Sequence, residues 1–162
     1  MILNAYRLCE RRHAQAGRAF RGEGARLAGG RWNQPGITVV YAASSLSLAS
    51  LEFLAHFESG EDIPKLACFN LRFEERLVTT LEQLPPDWRQ IPAPSGTQDL
   101  GAQWCNSGRS AVLRAPSVII PSEFNFVLNP AHPDYKRIEI GPAEPFSIDP
   151  RLLGSGPGKG PR

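Results

Sequence analysis

Short apolar runs, several of them rich in β-branched residues, recur along this chain between polar, Gly-rich and Pro-rich segments. Runs of this length and composition predict buried or half-buried β-strands. The predicted strands cover residues 2–8, 37–42, 66–73, 77–78, 111–113, 118–120, 126–128 and 138–140. Ser44 or Ser45 can cap a helix that continues to about Phe57, and Thr97 and Gly108 mark the two ends of another. Many short strands with few helices indicate a single compact α+β domain.

The pattern weakens in two segments. Residues 10–36 are rich in Arg, Gly and Ala with little periodicity, which predicts a long functional loop with room for one turn of helix. Residues 153–162 are mostly Gly and Pro and have almost nothing to bury, which predicts a flexible C-terminal tail. The domain itself is therefore predicted to span residues 1–152.

Charge is distributed unevenly along the chain. Residues 1–31 carry seven Arg against two Glu, whereas residues 32–90 hold eight acidic and four basic residues. The basic segment is either a solvated surface or a positive field that attracts an anionic ligand or an acidic partner. Nucleic acid is disfavoured as a partner because no lysine run, recognition-helix pattern or aromatic platform accompanies the arginines.

The rest of the composition indicates where the protein resides and whether it contains disulfides or a metal site. No apolar stretch approaches the roughly 20 residues of a transmembrane helix, and the N-terminus lacks a signal-peptide pattern. We therefore expect a cytoplasmic protein that makes no membrane contact. Three Cys without a CxxC pair predict neither a disulfide framework nor a zinc cluster. The three His lack the spacing of metal ligands, so no metal is expected.

Glu52 is the first candidate for chemistry, because it lies inside an apolar predicted helix. The residues that share its helix face are Leu48, Ala49, Ala55 and His56. This face is opposite the serine-rich side of the helix, so Glu52 is predicted to point inward. A buried carboxylate is costly unless it is paired. Glu52 therefore has either a salt-bridge partner, with Arg31 and Arg7 as candidates, or a chemical task.

The segment GGRWN at residues 29–33 is the second candidate. Glycines such as Gly30 let the backbone approach a ligand closely, and the planar fork of Arg31 suits a diphosphate. The alternative for Arg31 is an exposed position in a loop. Tyr41, at the end of a predicted strand, either stacks on a flat ligand ring or is a core tyrosine. A Rossmann site is not indicated, since no GxGxxG or strand–loop–helix unit surrounds the segment.

Two serines and an asparagine complete the candidates. Ser117 and Ser122 each follow a proline in a break between apolar segments, and neither has the GxSxG context of a hydrolase nucleophile. Asn129 follows the predicted strand 126–128, where its side chain either bridges a turn or contacts a ligand.

Together these segments resemble the RES domain, a bacterial toxin family named for an arginine, a glutamate and a serine. The resemblance extends from residues 5–8 to residues 149–152, which is nearly the whole chain. It rests on the order and spacing of six short motifs, GGRWN at 29–33, VYA at 40–42, ASLE at 49–52, APS at 115–117, PSE at 121–123 and LNP at 128–130.

The resemblance implies a fold similar to that of ADP-ribosyltransferase toxins and an enzyme that consumes NAD. It implies that Arg31 binds the diphosphate, that Tyr41 packs the nicotinamide end and that Glu52 stabilises the ribose cation. Ser117 is taken as the serine of the site, with Ser122 as the alternative. The residues expected to contact NAD are Arg7, Gly30, Arg31, Trp32, Tyr41 and Asn129.

The acceptor and the partners are also expectations from the resemblance. NAD is expected as substrate, and its ADP-ribose passes to phosphate, to water or to a target protein. Toxins of this family are usually encoded beside an Xre-like helix-turn-helix antitoxin that covers the active site. A homodimer is left open. The competing hypothesis is a non-catalytic binding module in which Glu52 is locked in a salt bridge.

Overall fold

An eight-stranded sheet organises the residues that the computed structural model describes, 1–57 and 62–153. Its strands are β1 (Ile2–Glu10), β2 (Val40–Ala43), β3 (Leu66–Glu74), β4 (Val78–Thr80), β5 (Val112–Pro116), β6 (Phe124–Leu128), β7 (Glu139–Ile140) and β8 (Glu144–Phe146). The α-helices of these residues are α1 (Ala16–Ala19), α2 (Glu23–Ala28), α3 (Leu46–Ala55) and α4 (Ser95–Ser107). The predicted α+β class is confirmed. No helix within the described ranges is long and apolar enough to cross a membrane.

The strand order is β4-β5-β6-β2-β1-β3-β7, and β8 pairs with β3 beside β7. All neighbours are antiparallel except β4 and β5, which are parallel. β2 and β6 pair from Val40 with Leu128 to Ala43 with Asn125. This register places the end of β2, where the chain turns into α3, directly beside the start of β6.

One face of the sheet is closed by the short helix α1, and we call it the α1 face. Side chains alternate between the two faces of a strand, so Val40 and Ala42 of β2 share this face with their partners on β6. Phe20, at the end of α1, packs edge-to-face on Phe69 with ring centroids 5.0 Å apart. Phe73 and Phe126 make a similar contact at 5.3 Å. This face holds the larger of the buried clusters.

The opposite face is covered by α3 at one end and by a tryptophan-centred cluster at the other, and we call it the α3 face. Leu48 and Ala49 of α3 pack against Ala43 of β2. Trp32 and Trp104 form the second cluster together with residues of β5 and β6. Tyr41 follows Val40 and therefore points to the α3 face, where it packs against the tryptophan-centred cluster.

Several predicted elements are present with shifted ends. Ser45 caps α3, with its hydroxyl accepting the Leu48 N–H at 3.0 Å. β2 begins three residues later than predicted, because the carbonyl of Ile37 is occupied by the side-chain amide of Asn33 at 3.2 Å. α4 begins at Ser95, so the prediction that Thr97 caps it is wrong. Thr97 lies in the first turn and donates to the Pro94 carbonyl instead.

Other predicted elements differ more strongly from the observed structure. Residues 118–120 form no strand, because the N–H groups of Ile119 and Ile120 donate to the hydroxyl of Ser117 and cannot join a ladder. The predicted loop 10–36 contains the two short helices α1 and α2. β8 was not predicted. The described chain ends in a short 3-10 helix, Pro150–Leu153, and residues 154–162 of the predicted tail lie outside the described residues.

Candidate active site

Glu52 occupies the centre of a hydrogen-bonded cluster. One carboxylate oxygen, Oε1, accepts from the hydroxyl of Ser117 at 2.8 Å and from the side-chain amide of Asn125 at 2.6 Å. The carboxylate is half-buried, and both donors are neutral. Among residues 1–57 and 62–153, no ion pair includes Glu52, so neither Arg31 nor Arg7 forms the alternative salt bridge. The side chain is therefore oriented without being neutralised.

Ser117 is held in place by the turn that follows β5. Its side chain is fully buried, and its hydroxyl accepts the N–H groups of Ile119 and Ile120 at 3.1 and 3.2 Å while it donates to Glu52. Its own N–H donates to the carbonyl of Glu123 at 3.0 Å. Ser122 is exposed in the same turn. Of the two serines, the structure therefore brings Ser117 to the carboxylate.

Asn125 was not among the site residues predicted from the sequence. It lies on β6 between Ala43 of β2 and Ala115 of β5, whose small side chains flank it on both sides. Its amide reaches Glu52 from the sheet while Ser117 reaches it from the turn. A signal was available, because asparagine is depleted in strands and a polar residue between apolar neighbours needs a partner.

Tyr41 closes the loop of residues 30–33, which contains Arg31. The Tyr41 hydroxyl accepts the Trp32 N–H at 3.1 Å and donates to the side-chain oxygen of Asn33 at 2.7 Å. Gly30 and Asn33 are joined by a backbone bridge inside this loop. Burial raises the pKa of Tyr41 well above its usual value, so the hydroxyl keeps its proton. Tyr41 thus shapes the loop, and its hydroxyl is already engaged by protein groups.

Gly30 is required by this loop, because a Cβ there would lie 2.7 Å from the Tyr41 hydroxyl oxygen and 2.9 Å from the side-chain oxygen of Asn33. The close approach predicted for this glycine is therefore made to Tyr41. Trp32, predicted to contact NAD, is 2% exposed and packs with Trp104 in the core of the α3 face.

Arg31 is half-buried and anchored at one nitrogen. Its Nη1 donates to the carbonyls of Trp88 and Gln90 at 2.7 and 2.9 Å. Burial lowers the pKa of Arg31, and the nearby charge of Glu52 partly raises it again. Within the described part of the chain, its other guanidinium nitrogens donate no hydrogen bond. The charge of Glu52 thus acts on the Arg31 guanidinium, although the two side chains form no ion pair.

Arg7 and Asn129 are not brought to this cluster. Arg7 points to the α1 face, where it donates to the carbonyls of Ala19 and Tyr41 at 2.9 and 2.8 Å. Burial lowers its pKa, and its guanidinium lies 5.8 Å from the centre of the Phe20 ring. Asn129 follows the far end of β6, about 13 Å along the strand from Asn125 at roughly 3.3 Å per residue.

The Asn129 side chain accepts a hydrogen bond from the Ala131 N–H at 3.0 Å. Of the two roles considered for this residue, it therefore bridges a turn. The described geometry gives no support to NAD contacts by either Arg7 or Asn129.

A cleft opens beside Glu52, with a volume of about 660 Å³. It is lined on the α3 side by Glu52, Phe53, His56 and Phe57, and on the β1 side by Glu10 and Arg12. The rings of Phe53 and Phe57 stack with their centroids 5.9 Å apart. Arg31 and Tyr41 are not among the residues that line it. Asp62 and Pro64 complete the lining, so the cleft presents the Glu52 carboxylate beside an aromatic pair and two further carboxylates.

Comparison with known proteins gives the family. The profile of the RES domain matches residues 4–149. The Prs ADP-ribosylating toxin of Sphingobium sp. (strain YBL2) is 39% identical over 137 residues, which cover 82% of this chain and 85% of that protein. The protein named Toxin Res from Yersinia enterocolitica is 36% identical over 91% of this chain and 97% of its own length.

A solved structure shows the same fold. In the crystal structure of the M. tuberculosis MbcT-MbcA toxin-antitoxin complex, one chain matches with a TM-score of 0.72 and 19% identity, covering 95% of this chain and 88% of that one. The order and spacing of the six motifs, the family profile and the named toxins agree, and this chain belongs to the RES domain family.

Proposed function

We propose that this chain is the toxin of a toxin–antitoxin pair and that it cleaves the nicotinamide–ribose bond of NAD. The observation that carries the proposal is the carboxylate of Glu52, which is held at one oxygen by Ser117 and Asn125 beside an open cleft. An oriented carboxylate without a cationic partner is suited to stabilise positive charge that develops on a substrate.

The chemistry requires such a group. Breaking the bond between nicotinamide and the ribose gives the ribose oxocarbenium character, as in glycoside hydrolysis. Glu52 would stabilise this cation, and its two neutral donors keep the carboxylate in place without cancelling its charge. Nicotinamide leaves as a neutral molecule, so departure of the leaving group needs no general acid. Arg31, with nitrogens not used by the protein in the described residues, would bind the diphosphate.

The name of one relative supports a protein side chain as the acceptor of ADP-ribose. One relative is named an ADP-ribosylating toxin, which supports transfer of ADP-ribose to a protein side chain as the alternative to phosphate or water. The solved neighbour is part of a toxin–antitoxin complex, which supports an antitoxin as partner. From the family resemblance we propose an Xre-like antitoxin that covers the cleft. Acidic groups on it would suit the basic N-terminal segment electrostatically.

The test follows nicotinamide release from NAD by the purified chain, in buffer alone, with phosphate and with cell extract. Glu52→Gln should lower release by about 100-fold or more, because the neutral amide cannot stabilise the cation. Its side-chain oxygen can still accept from Ser117 and Asn125, so the fold should be retained. Glu82→Gln is the matched control, since Glu82 is exposed and does not line the cleft.

The outcomes separate the alternatives. Free ADP-ribose indicates water as acceptor, its phosphorylated form indicates phosphate, and a labelled protein band with labelled NAD indicates a target protein. Loss of growth arrest in cells that express Glu52→Gln, with unchanged thermal unfolding, would support an enzyme. A non-catalytic module predicts the reverse, namely lower stability with unchanged growth. Absence of nicotinamide release under all three conditions would contradict the proposal.

A further inference from the structure

We propose that His56 is the general base that removes the proton of the acceptor, and that this acceptor is an O–H group of water or of a protein side chain. The inference rests on the proposed function and deepens it, since it names the acceptor class and the residue that activates it. The geometry that points to it is the hydrogen bond between His56 and the backbone of Glu52, together with the position of His56 in the cleft.

The hydrogen bond defines the tautomer of His56. Nδ1 lies 2.9 Å from the carbonyl oxygen of Glu52. A carbonyl oxygen only accepts, so Nδ1 must carry the proton and donate. In the neutral ring, Nε2 then carries the lone pair and is the basic atom. The end of α3 thus holds an imidazole with its basic nitrogen directed away from the helix backbone.

The imidazole ring of His56 lies in the same cleft as Glu52. His56 is exposed, follows Glu52 by one helical turn and lines the same cleft of about 660 Å³. The other charged or titratable groups that line this cleft are Glu10, Arg12 and Asp62. Among the described residues His56 forms no ion pair. Its basic nitrogen is therefore available to a molecule that enters the cleft.

The reaction leaves a place for such a base. The C–N bond between the ribose and nicotinamide breaks, and its electron pair leaves on nicotinamide. The oxygen of the acceptor forms a bond to the same ribose carbon, and its proton passes to Nε2 of His56 and then to solvent. General-base assistance of this kind typically contributes about 100-fold or more.

The other carboxylates of the cleft suit this task less well. Glu52 is required as an anion beside the ribose, and its Oε1 is held by two donors. Glu10 forms an ion pair with Arg12. Asp62 remains as a competitor, and the experiment includes it.

The test replaces His56 with Asn, whose side-chain amide can still donate to the Glu52 carbonyl but has no basic nitrogen. Nicotinamide release is measured with water or cell extract as acceptor, and again with azide, an anion that attacks without losing a proton. We expect His56→Asn to lower release to water or extract by about 100-fold with little change in the KM for NAD. Azide should restore release and give the azide adduct of ADP-ribose. His13→Asn is the matched control, because His13 does not line the cleft.

Three results would overturn the inference. The first is full release to water or extract by His56→Asn, or a loss that azide does not restore. The second is a loss in Asp62→Asn while His56→Asn stays active, which would assign the base to Asp62. The third is wild-type release that depends on phosphate alone, since the phosphate dianion needs no base. A wild-type chain that releases no nicotinamide at all would instead contradict the proposed function itself.

Discussion

The hydroxyl of Tyr41 joins the two sides of the loop that presents Arg31. It accepts from the backbone of Trp32 and donates to the side chain of Asn33, which is itself fully buried. The two N–H protons of the Asn33 amide are shared among three backbone carbonyls, those of Ala25, Gln34 and Ile37. From these hydrogen bonds we infer that Tyr41 positions Arg31.

Replacing Tyr41 by Phe should test this role. The change leaves the buried oxygen of Asn33 without its donor, which should lower the free energy of unfolding by about 1–3 kcal/mol. The KM for NAD should rise, because Arg31 would be less well oriented. Tyr135→Phe is the control: its hydroxyl makes a longer bond, 3.3 Å, to the Phe20 carbonyl on the α1 face. Chemical denaturation and NAD kinetics on both variants provide the measurement, and an unchanged KM in Tyr41→Phe would contradict the role.

Arg7→Met should separate stability from substrate binding. Arg7 donates two hydrogen bonds on the α1 face, so its loss should leave the Ala19 and Tyr41 carbonyls without their donor and lower unfolding stability by about 1–3 kcal/mol. The KM for NAD, measured well below the unfolding temperature, should stay within about twofold of the wild type. A KM that rises with no loss of stability would show instead that Arg7 contacts NAD, as expected from the sequence.

Part of the candidate site could be predicted from the sequence, and part of it could not. The inward direction of Glu52 followed from helix periodicity, and its contact with Ser117 agrees with the family resemblance. The contact of Asn125 with Glu52 depends on which strand lies beside the carboxylate, and that is set by the β2–β6 register, whereas His56 lies on the same helical segment as Glu52. Helical spacing therefore placed His56 on the face of Glu52, but spacing along one chain segment contains no information about Asn125.

At the scale of elements, α4 supports the Arg31 loop from the side. Gly101 of α4 lies so close to the backbone of Trp32 that a Cβ at this position would overlap the Trp32 carbonyl oxygen. Gln98, one turn earlier, donates to the Gly30 carbonyl at 3.0 Å. The helix and the loop are thus packed backbone to backbone.

Gly101→Ala should therefore be strongly destabilising, by about 3 kcal/mol or more, because α4 must move away from the loop. Gly24→Ala is a matched control on α2, where a Cβ would meet nothing within 4 Å. There the better helix propensity of Ala should raise stability by up to about 1 kcal/mol. Denaturation midpoints of the two variants should move in opposite directions, and equal midpoints would contradict the close packing of α4.

Elements were predictable where an apolar segment was long or began with a recognisable cap. The strands β1 and β3 are nine-residue segments that are mostly apolar, and α3 combines a strongly apolar segment with the Ser45 cap. The helices α1 and α2 are four and six residues long, too short for a periodic signal to develop. β8 has the sequence EPF, with a central proline that disfavours a strand, and it is defined by its pairing with β3.

At the scale of the whole molecule, a single sheet separates two cores. The α1 face contains no tryptophan in its cluster, whereas Trp32 and Trp104 are buried on the α3 face and Trp88 packs against the same cluster. Because both cores share the strands of one sheet, loosening either core should unfold the other.

Neighbouring residues of β6 allow this cooperativity to be measured. Phe126 points to the α1 face and Val127 to the α3 face. Phe126→Leu and Val127→Ala should each lower the free energy of unfolding by about 1–3 kcal/mol. In both variants, tryptophan fluorescence and far-ultraviolet circular dichroism should report the same single transition. A fluorescence transition in Phe126→Leu that stays at the wild-type midpoint while circular dichroism shifts would show that the two cores unfold separately.

The turn around Ser117 has a consequence for the fate of the reactive ribose. A serine hydroxyl has one proton and two lone pairs. In this turn the hydroxyl donates its hydrogen bond to Glu52, and its two lone pairs accept hydrogen bonds from the N–H groups of Ile119 and Ile120. Nothing is left with which the oxygen could attack. Ser117 lies beside the carboxylate that would stabilise the cation, but its lone pairs are occupied, so under the proposed function we expect the toxin not to ADP-ribosylate itself at this hydroxyl.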